Sequence, residues 1–575
     1  MEFNKLKKAL KNDFTGLPVA GVAVLADSAS QLFCQALKGC GYFNKINLDI
    51  WEADYDQVLQ TVLDEDSALY SKHPRYVIIY QSSKKLINTF YKKDNQQKRS
   101  FAADQIGFLQ MITSKINERV DTNIIIINYP EIYDGIFGNF SNKTESSFLY
   151  QVRKLNCLLM DFAISKKNIN ICDLSAIQNF TGSNTMVSER LYVNTDNVLD
   201  LEILPVLAQS IADIILAYSG RFKKCIIADL DNTLWGGIIG DDGLEGIQIG
   251  ELGIGKAFSH FQKWIIQLKE RGIILAVCSK NTDHIAKEPF EKHPDMELKL
   301  DDIAVFVANW NNKADNIRYI QSVLNIGFDS MVFLDDNPAE REIVRREIPD
   351  ITVPELPEDP SEYISFLSQQ GLFETTSFTE EDTKRNKQYR EEADRTVFQQ
   401  AFTDEAAFLE SLDMAAVMKP IDNFTVPRAA QLTQRSNQFN LRTVRYTEDQ
   451  LKALCSDKDV LTFATNLHDK FGDYGLISLL ILKKIGSDTL FIDTWIMSCR
   501  VLKRNVEEFV LNHIVETAKA NGFKKITGEY MPTPKNGLVK DHYQNLGFKP
   551  AENNTWELNI KEYTFKNNFI KTNHA

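Results

Sequence analysis

The chain has 575 residues, 43% hydrophobic and 25% charged, which is the balance of a folded protein and excludes overall disorder. At roughly 150 residues per domain it holds about three to four domains. Its net charge of −13 leaves no basic excess to displace counterions, so indiscriminate nucleic-acid binding is excluded as well.

The opening segment MEFNKLKKALKND lacks the apolar run of a secretory leader. The most apolar stretch, 198–218, carries Asp200, Glu202, Gln209 and Asp213 and reads as an amphipathic helix. The expectation is a cytoplasmic protein without membrane contact. Residues 22–27, 46–50, 76–80, 123–128 and 168–174 are β-branched apolar runs separated by helical patterns, which indicates a parallel sheet covered on both faces. A second series follows at 224–231, 273–279, 303–308, 331–336 and 351–356. Between about 357 and 405, PELPEDP forms a turn-rich stop and TEEDTKRNKQYREEADR has the mixed charge and spacing of a solvated connecting helix. Strands at 415–419, 477–484 and 489–498 then precede a long helix at 505–522, the strand KKITGEYM, a short helix ending in YQNLGF and the strand TWELNI. The expected fold class is α/β, with two parallel-sheet domains over 1–220 and 221–370, a charged helical connector over 371–410, and an α+β domain over 411–575. The eight cysteines include no CxxC pair, which argues for a reducing compartment and against a disulfide framework or zinc ribbon. The eight histidines show no metal-binding spacing.

The chemistry centres on Asp229-Leu-Asp231-Asn-Thr233, directly after the strand CIIA. Ligands of open α/β sheets bind beyond the carboxyl ends of the strands, and alternate residues of an extended chain point the same way. One carboxylate can attack phosphorus, and the other can protonate the leaving group and then deprotonate water. Ser279 ends ILAVCS, where a hydroxyl can hold a phosphate oxygen, and Lys313 opens a helix in NWNNKADNI, where its ammonium can neutralise developing charge. Asp335 and Asp336 end MVFLDD and can complete an oxygen shell for Mg²⁺. A fifth carboxylate joins them if Asp241 or Asp242 of the following flap folds inward. The intervals 279 − 229 = 50 and 313 − 279 = 34 have no room for an inserted cap, so the site is open to a large or tethered substrate. Trp235-Gly236-Gly237 shapes the flap, with glycine letting backbone approach a phosphate and Trp covering the site.

A strand ending in D-x-D-x-T, followed by the serine, lysine and acidic pair in this order, resembles the haloacid dehalogenase (HAD) phosphatase superfamily. DLDNTLWGGIIGDDGLEGIQIG, FSHFQKWIIQLKERGIILAVCSKN and VFLDDNPAERE narrow the resemblance to HAD subfamily IIIC, the FkbH-like proteins, and QLTQRSNQFNLRTVRY, DKFGDYGLISLLIL and MSCRVLKRNVEEFVL agree. The resemblance implies Asp229 as nucleophile and metal ligand, and Asp231 as acid/base lending its carbonyl to the metal. It implies Asp335 as the more direct Mg²⁺ ligand of its pair, with Asp336 nearer water or Lys313. Thr233, Trp235, Gly236 and Asn281 are the implied substrate contacts.

FkbH-like proteins are associated with taking a three-carbon unit from 1,3-bisphosphoglycerate, removing its phosphate and loading the glyceryl group onto the phosphopantetheine thiol of an acyl carrier protein. The C-terminal order of elements resembles GNAT acyltransferases, whose long helix binds the pantetheine pyrophosphate at its start. Arg500, Lys503 and Arg504 are the corresponding cations, with Lys503 and Asn505 standing where such proteins usually carry glycine. Cys499 and Cys278 are the candidate acyl-carrying thiols. The N-terminal domain resembles an SGNH-hydrolase or flavodoxin-like layer with Ser28 of Ala26-Asp27-Ser28 at the nucleophile position, but no Asp-x-x-His base follows, so a degenerate scaffold is expected. Two other readings stay open: a phosphatase for another metabolite or sugar precursor whose C-terminal domain only binds, and a non-catalytic carrier-docking scaffold.

Overall fold

The computed structural model describes residues 1–399, 401–552 and 554–572, with the side chains of 381, 397, 435 and 499 outside the description. The chain forms two compact units, 1–217 and 218–575. Among the described residues no helix is long and apolar enough to cross a membrane.

In the first unit, β1 (Val19–Ala26), β2 (Asn47–Glu52), β3 (Tyr76–Tyr80), β4 (Asn123–Ile127) and β5 (Ile169–Cys172) form a parallel sheet in the order β2-β1-β3-β4-β5. The strand order reverses between β1 and β3, where doubly wound sheets open a crevice. Every residue of β3 is buried, which explains its uninterrupted apolar sequence YVIIY.

The second unit contains two sheets. β6 (Cys225–Ala228), β7 (Ile274–Ser279), β8 (Val305–Ala308) and β9 (Met331–Leu334) are parallel, in the order β8-β7-β6-β9. Side chains alternate between two cores: Ile226, Ala228, Leu275, Val277, Val332 and Leu334 face one, while Cys225, Ile227, Ile274, Ala276, Met331 and Phe333 face the other. Only the flap helix Ile239–Gly246 and the helix Gly253–Glu270 lie between β6 and β7, and one α-helix and one 3-10 turn lie between β7 and β8, so no cap is inserted. The expected strand at 351–356 reduces to a single bridge between Val332 and Thr352, because Pro354 lacks the amide that would extend it.

The other sheet is mixed, in the order β15-β16-β14-β13-β12-β11-β10-β17. Its strands are β10 (Ala415–Pro420), β11 (Val460–Asp469), β12 (Gly472–Ile485), β13 (Thr489–Met497), β14 (Lys525–Glu529), β15 (Lys549–Pro550), β16 (Thr555–Asn559) and β17 (Lys571–Thr572), and the helix Val506–Ala520 packs in the same core. The strand β11 is not marked by an apolar run: VLTFATNLHD interleaves polar with apolar residues on a partly exposed strand.

The connecting helix Arg385–Gln399 is not solvated as expected. Asn386 is buried, accepting from Leu275 N (3.1 Å) through Oδ1 and donating to Asp302 O (2.7 Å) through Nδ2. Tyr389 enters the core beneath the β8-β7-β6-β9 sheet. One to two turns on, the fully buried Arg395 makes a two-point ion pair with Asp469, 2.7 and 2.8 Å. The mixed-charge sequence therefore encodes internal ion pairs between two sheets. Arg395→Leu would leave Asp469 buried and uncompensated, which costs about 3–5 kcal/mol. Urea denaturation should show that loss, and an unchanged midpoint would mean that the pair is solvated.

Candidate active site

The site sits at the carboxyl ends of β6 and β9. Asp229 extends the β6–β9 pairing by one bond, its amide donating to Leu334 O (2.9 Å). Leu230 turns into the core, and Asn232 adopts a left-handed φ of 54°, which asparagine tolerates better than most residues. Lys313 is the first residue of the helix Lys313–Leu324, capped by Asn312. Its Nζ lies 2.8 Å from Asp229 Oδ2 and 2.6 Å from Asp335 Oδ2, and the residue is only 2% exposed. Burial opposes its charge, but the carboxylates of Asp229 and Asp335 outweigh burial and hold the ammonium pKa above its usual value.

Carboxylate oxygens of Asp229, Asp335 and Asp336 lie within 4.8 Å of one another. Burial, reinforced by the charge of Asp229, raises the Asp335 carboxyl to about 6 and lifts that of Asp336 as well. Asp229 Oδ1 is buried with no hydrogen-bond partner. An orphaned carboxylate oxygen beside two further carboxylates is the donor set of a hard divalent cation, so these residues fit a metal. Asp335 Oδ1 also accepts from Asn337 N (2.9 Å). Of the acidic pair it is Asp335 that pairs with Lys313, so the expected alternative of Asp336 beside Lys313 is not realised; Asp336 N donates instead to the buried Thr233 hydroxyl (3.1 Å).

Asp231 faces elsewhere. Its Oδ1 accepts from the Trp235 indole (2.9 Å) and Ile239 N (3.0 Å), and its Oδ2 from Asn281 Nδ2 (3.1 Å). Its pKa is raised by burial, against the pull of these donors. Two carboxylates of one motif thus have separate environments, one in the cation cluster and one in a neutral cradle, as an acid/base distinct from a nucleophile requires.

Several expected substrate contacts are internal. Trp235 is 0% exposed and packs edge-on against Phe290, so it orients Asp231 instead of covering the site. Gly236 bridges Gln248, and a Cβ there would meet Phe258 at 2.9 Å, so this glycine serves packing. The Thr233 hydroxyl is committed to Asp336, and Asn281 to Asp231. Ser279 is buried at the end of β7. Asp241 and Asp242 are exposed, and Asp242 accepts from Ile238 N within the flap (2.7 Å), so no fifth carboxylate folds inward.

Arg341, not among the expected site residues, also belongs to the site. This buried side chain donates through Nη1 to the carbonyls of Asp335 (2.8 Å) and Asp336 (2.7 Å) and is anchored on Glu355. It fixes the acidic turn from below. Its signal is in the sequence: an arginine in the first turn of the helix Pro338–Glu347, directly after the acidic pair.

Neither thiol expectation gains support. Cys278 is fully buried, its pKa pushed up to about 12 chiefly by burial, with its Sγ against Lys313 O (3.7 Å). The Cys499 side chain lies outside the described residues. Arg500 donates to Gln388 Oε1 (2.6 Å) and Tyr474 O (3.0 Å), and Arg504 pairs with Glu392. Both are buried and face the Arg385–Gln399 helix instead of offering cations to a pyrophosphate. Lys503 and Asn505 do take the left-handed φ values of glycines, 62° and 58°.

In the first unit Ser28 is buried and its hydroxyl has no hydrogen-bond partner. Beside it, burial raises the Asp27 carboxyl to about 7, against the Ser82 amide and Lys85. The folded chain holds this proton more tightly than the unfolded chain, so stability is lost as pH rises from about 4 to about 7. Asp27→Asn removes that loss. Its melting temperature should exceed that of the wild type at pH 8 and the gap should close towards pH 4; a gap independent of pH would exclude the titration.

The strand-end Asp-x-Asp, helix-start lysine and acidic pair on an uncapped parallel sheet define a HAD-type phosphatase domain. The FkbH N-terminal domain model matches residues 21–216. The N-terminal part of BF1531 from Bacteroides fragilis, which contains a phosphatase domain and was solved with Mg, is 50% identical with a TM-score of 0.64, covering 66% of this chain and 100% of that one. The chain belongs to this FkbH family of HAD-type phosphatase-domain proteins. No protein among curated sequences matches it. The GNAT domain of an S. lividans PAT (15% identity, TM-score 0.20, 25% of this chain and 89% of that one) and a spermidine N-acetyltransferase from Vibrio cholerae (13%, 0.21, 26% and 96%) are also similar, at a level that carries no argument about activity.

Proposed function

We propose that the protein is a Mg²⁺-dependent phosphatase that strips phosphate from a three-carbon acyl unit destined for an acyl carrier protein. The observation that carries the phosphatase reading is the buried Asp229–Lys313–Asp335 cluster, with Asp231 held apart from it. Asp229 attacks phosphorus, the bond to the leaving oxygen breaks, and Asp231 donates a proton to that oxygen. Asp231 then takes a proton from water, whose oxygen attacks the aspartyl-phosphate and frees inorganic phosphate together with the Asp229 carboxylate. Lys313 neutralises phosphate oxygens throughout. Mg²⁺, when bound by Asp229, Asp335 and Asp336, supplies further charge neutralisation for the phosphoryl group.

In the finer reading the substrate is 1,3-bisphosphoglycerate. The carrier's phosphopantetheine thiolate attacks the acyl carbon, the bond to the acyl phosphate oxygen breaks, and the remaining phosphate ester is hydrolysed at Asp229. The likeness of the sequence to FkbH-like proteins and the absence of a cap support it, since an uncapped sheet end admits a protein-tethered arm. The second reading, a phosphatase of another metabolite, is favoured by the engagement of Arg500, Arg504 and Cys278 in internal contacts. Mass spectrometry of a holo-carrier incubated with enzyme, Mg²⁺ and 1,3-bisphosphoglycerate separates them. A glyceryl adduct on the carrier is expected; an unmodified carrier, with phosphate released from other phosphorylated metabolites or from p-nitrophenyl phosphate, supports the second reading, and no phosphate release from any of these esters removes both.

A further inference from the structure

Parallel strands that diverge leave a row of amides and carbonyls that must find partners. β13 and β14 pair from Thr489 and Lys525 to Ile492 and Gly528, then part, although β13 continues to Met497. The other edge of β13 is taken by β12. The gap is filled by the chain itself. Asn440 bridges Ile496 in antiparallel fashion. The carbonyl of Phe439 accepts from Met497 N (3.3 Å), and that of Leu441 accepts from Met531 N (2.8 Å). Arg442 ties both strands together, donating through Nη1 to Asp493 O (3.0 Å) and Oδ1 (2.8 Å) and through Nε to Glu529 Oε2 (2.8 Å). The fully buried Asn536 donates to Asn440 O (3.0 Å) and Met531 O (2.9 Å). Phe439, Asn440 and Leu441 are all buried.

The GNAT resemblance of the sequence implies coenzyme A or a pantetheine arm in this domain. Such an arm is an extended amide-bearing chain, and the groups in this cleft that could pair with it are already bonded to Phe439–Arg442. The cations expected at the start of the helix Val506–Ala520 are bound to the Arg385–Gln399 helix as well. The residues present do not fit the cofactor.

We infer that the cleft between β13 and β14 takes no acyl-CoA: Phe439–Arg442 is a built-in strand closing it, and the C-terminal domain works as a closed platform for the Arg385–Gln399 helix. This stands apart from the phosphatase reading, because its test reads neither phosphate release nor Asp229. The full chain is titrated with coenzyme A and acetyl-CoA by calorimetry, with hydrogen exchange followed at Met497 and Met531. No saturable heat and unchanged protection of both amides are expected. Saturable binding with unchanged protection puts the nucleotide elsewhere and upholds the closed cleft. Saturable binding that changes exchange at Met497 or Met531 overturns it. Arg442→Gln, which cuts the tie between Asp493 and Glu529, should speed exchange at Met531 by at least about tenfold, the equivalent of one charge-assisted hydrogen bond; an unchanged rate would mean that the segment is not held as a strap.

Discussion

Asp229→Asn should release no phosphate from any ester and form no phosphoenzyme, because it removes the attacking carboxylate and the orphaned oxygen that fits a metal. Asp231→Asn should behave differently. It leaves the Asp229–Lys313–Asp335 cluster untouched, since its own contacts are to Trp235, Asn281 and Ile239. Loss of general acid/base help costs on the order of 10²–10⁴ in rate. An acyl phosphate or p-nitrophenyl phosphate has a good leaving group and needs little protonation, whereas hydrolysis of the aspartyl-phosphate needs a base for water. The variant should therefore accumulate a hydroxylamine-labile phosphate on Asp229 during turnover of such substrates. Phosphate recovered on a serine or cysteine would overturn the mechanism.

Lys313→Met should destabilise the metal-free protein by about 3–5 kcal/mol, the typical effect of leaving a buried charge without its partner. Asp229 and Asp335 are both buried, and each is within 3 Å of the Lys313 ammonium. Mg²⁺ should recover much of this loss, because a cation that binds only the folded state stabilises it in proportion to its occupancy. Chemical denaturation in EDTA and in excess Mg²⁺ measures both effects. If the variant unfolds with wild-type behaviour in EDTA, the three groups do not form a buried ion cluster.

The reacting side chains were legible because their geometry follows from strand ends. A carboxylate after CIIA and an acidic pair after MVFL must meet when β6 and β9 are neighbours. The parallel sheets were legible from their uninterrupted apolar runs. What the sequence concealed is the direction in which polar side chains find partners. Trp235, Arg500 and Arg504 have the chemistry of ligand contacts, but each is bound by a group distant in sequence or turned into the core. The Arg385–Gln399 helix misled for the same reason: charge alternation looks identical whether the counter-charge is water or Asp469, 74 residues away. The strand β11 was hidden because its polar positions break the run that marks a buried strand.

That shared helix also fixes an order of events during synthesis. All four strands of the phosphatase sheet have been made once Leu334 is in the chain, yet the amide of Leu275 waits for Asn386, 111 positions later, and Arg395 in turn waits for Asp469. A nascent chain stalled just after β9 should present β7 with an unpaired amide and an uncovered core face where Tyr389 belongs. The phosphatase domain should therefore mature with the domain that follows it, and a chain halted in this stretch should expose apolar surface of the kind that chaperones bind.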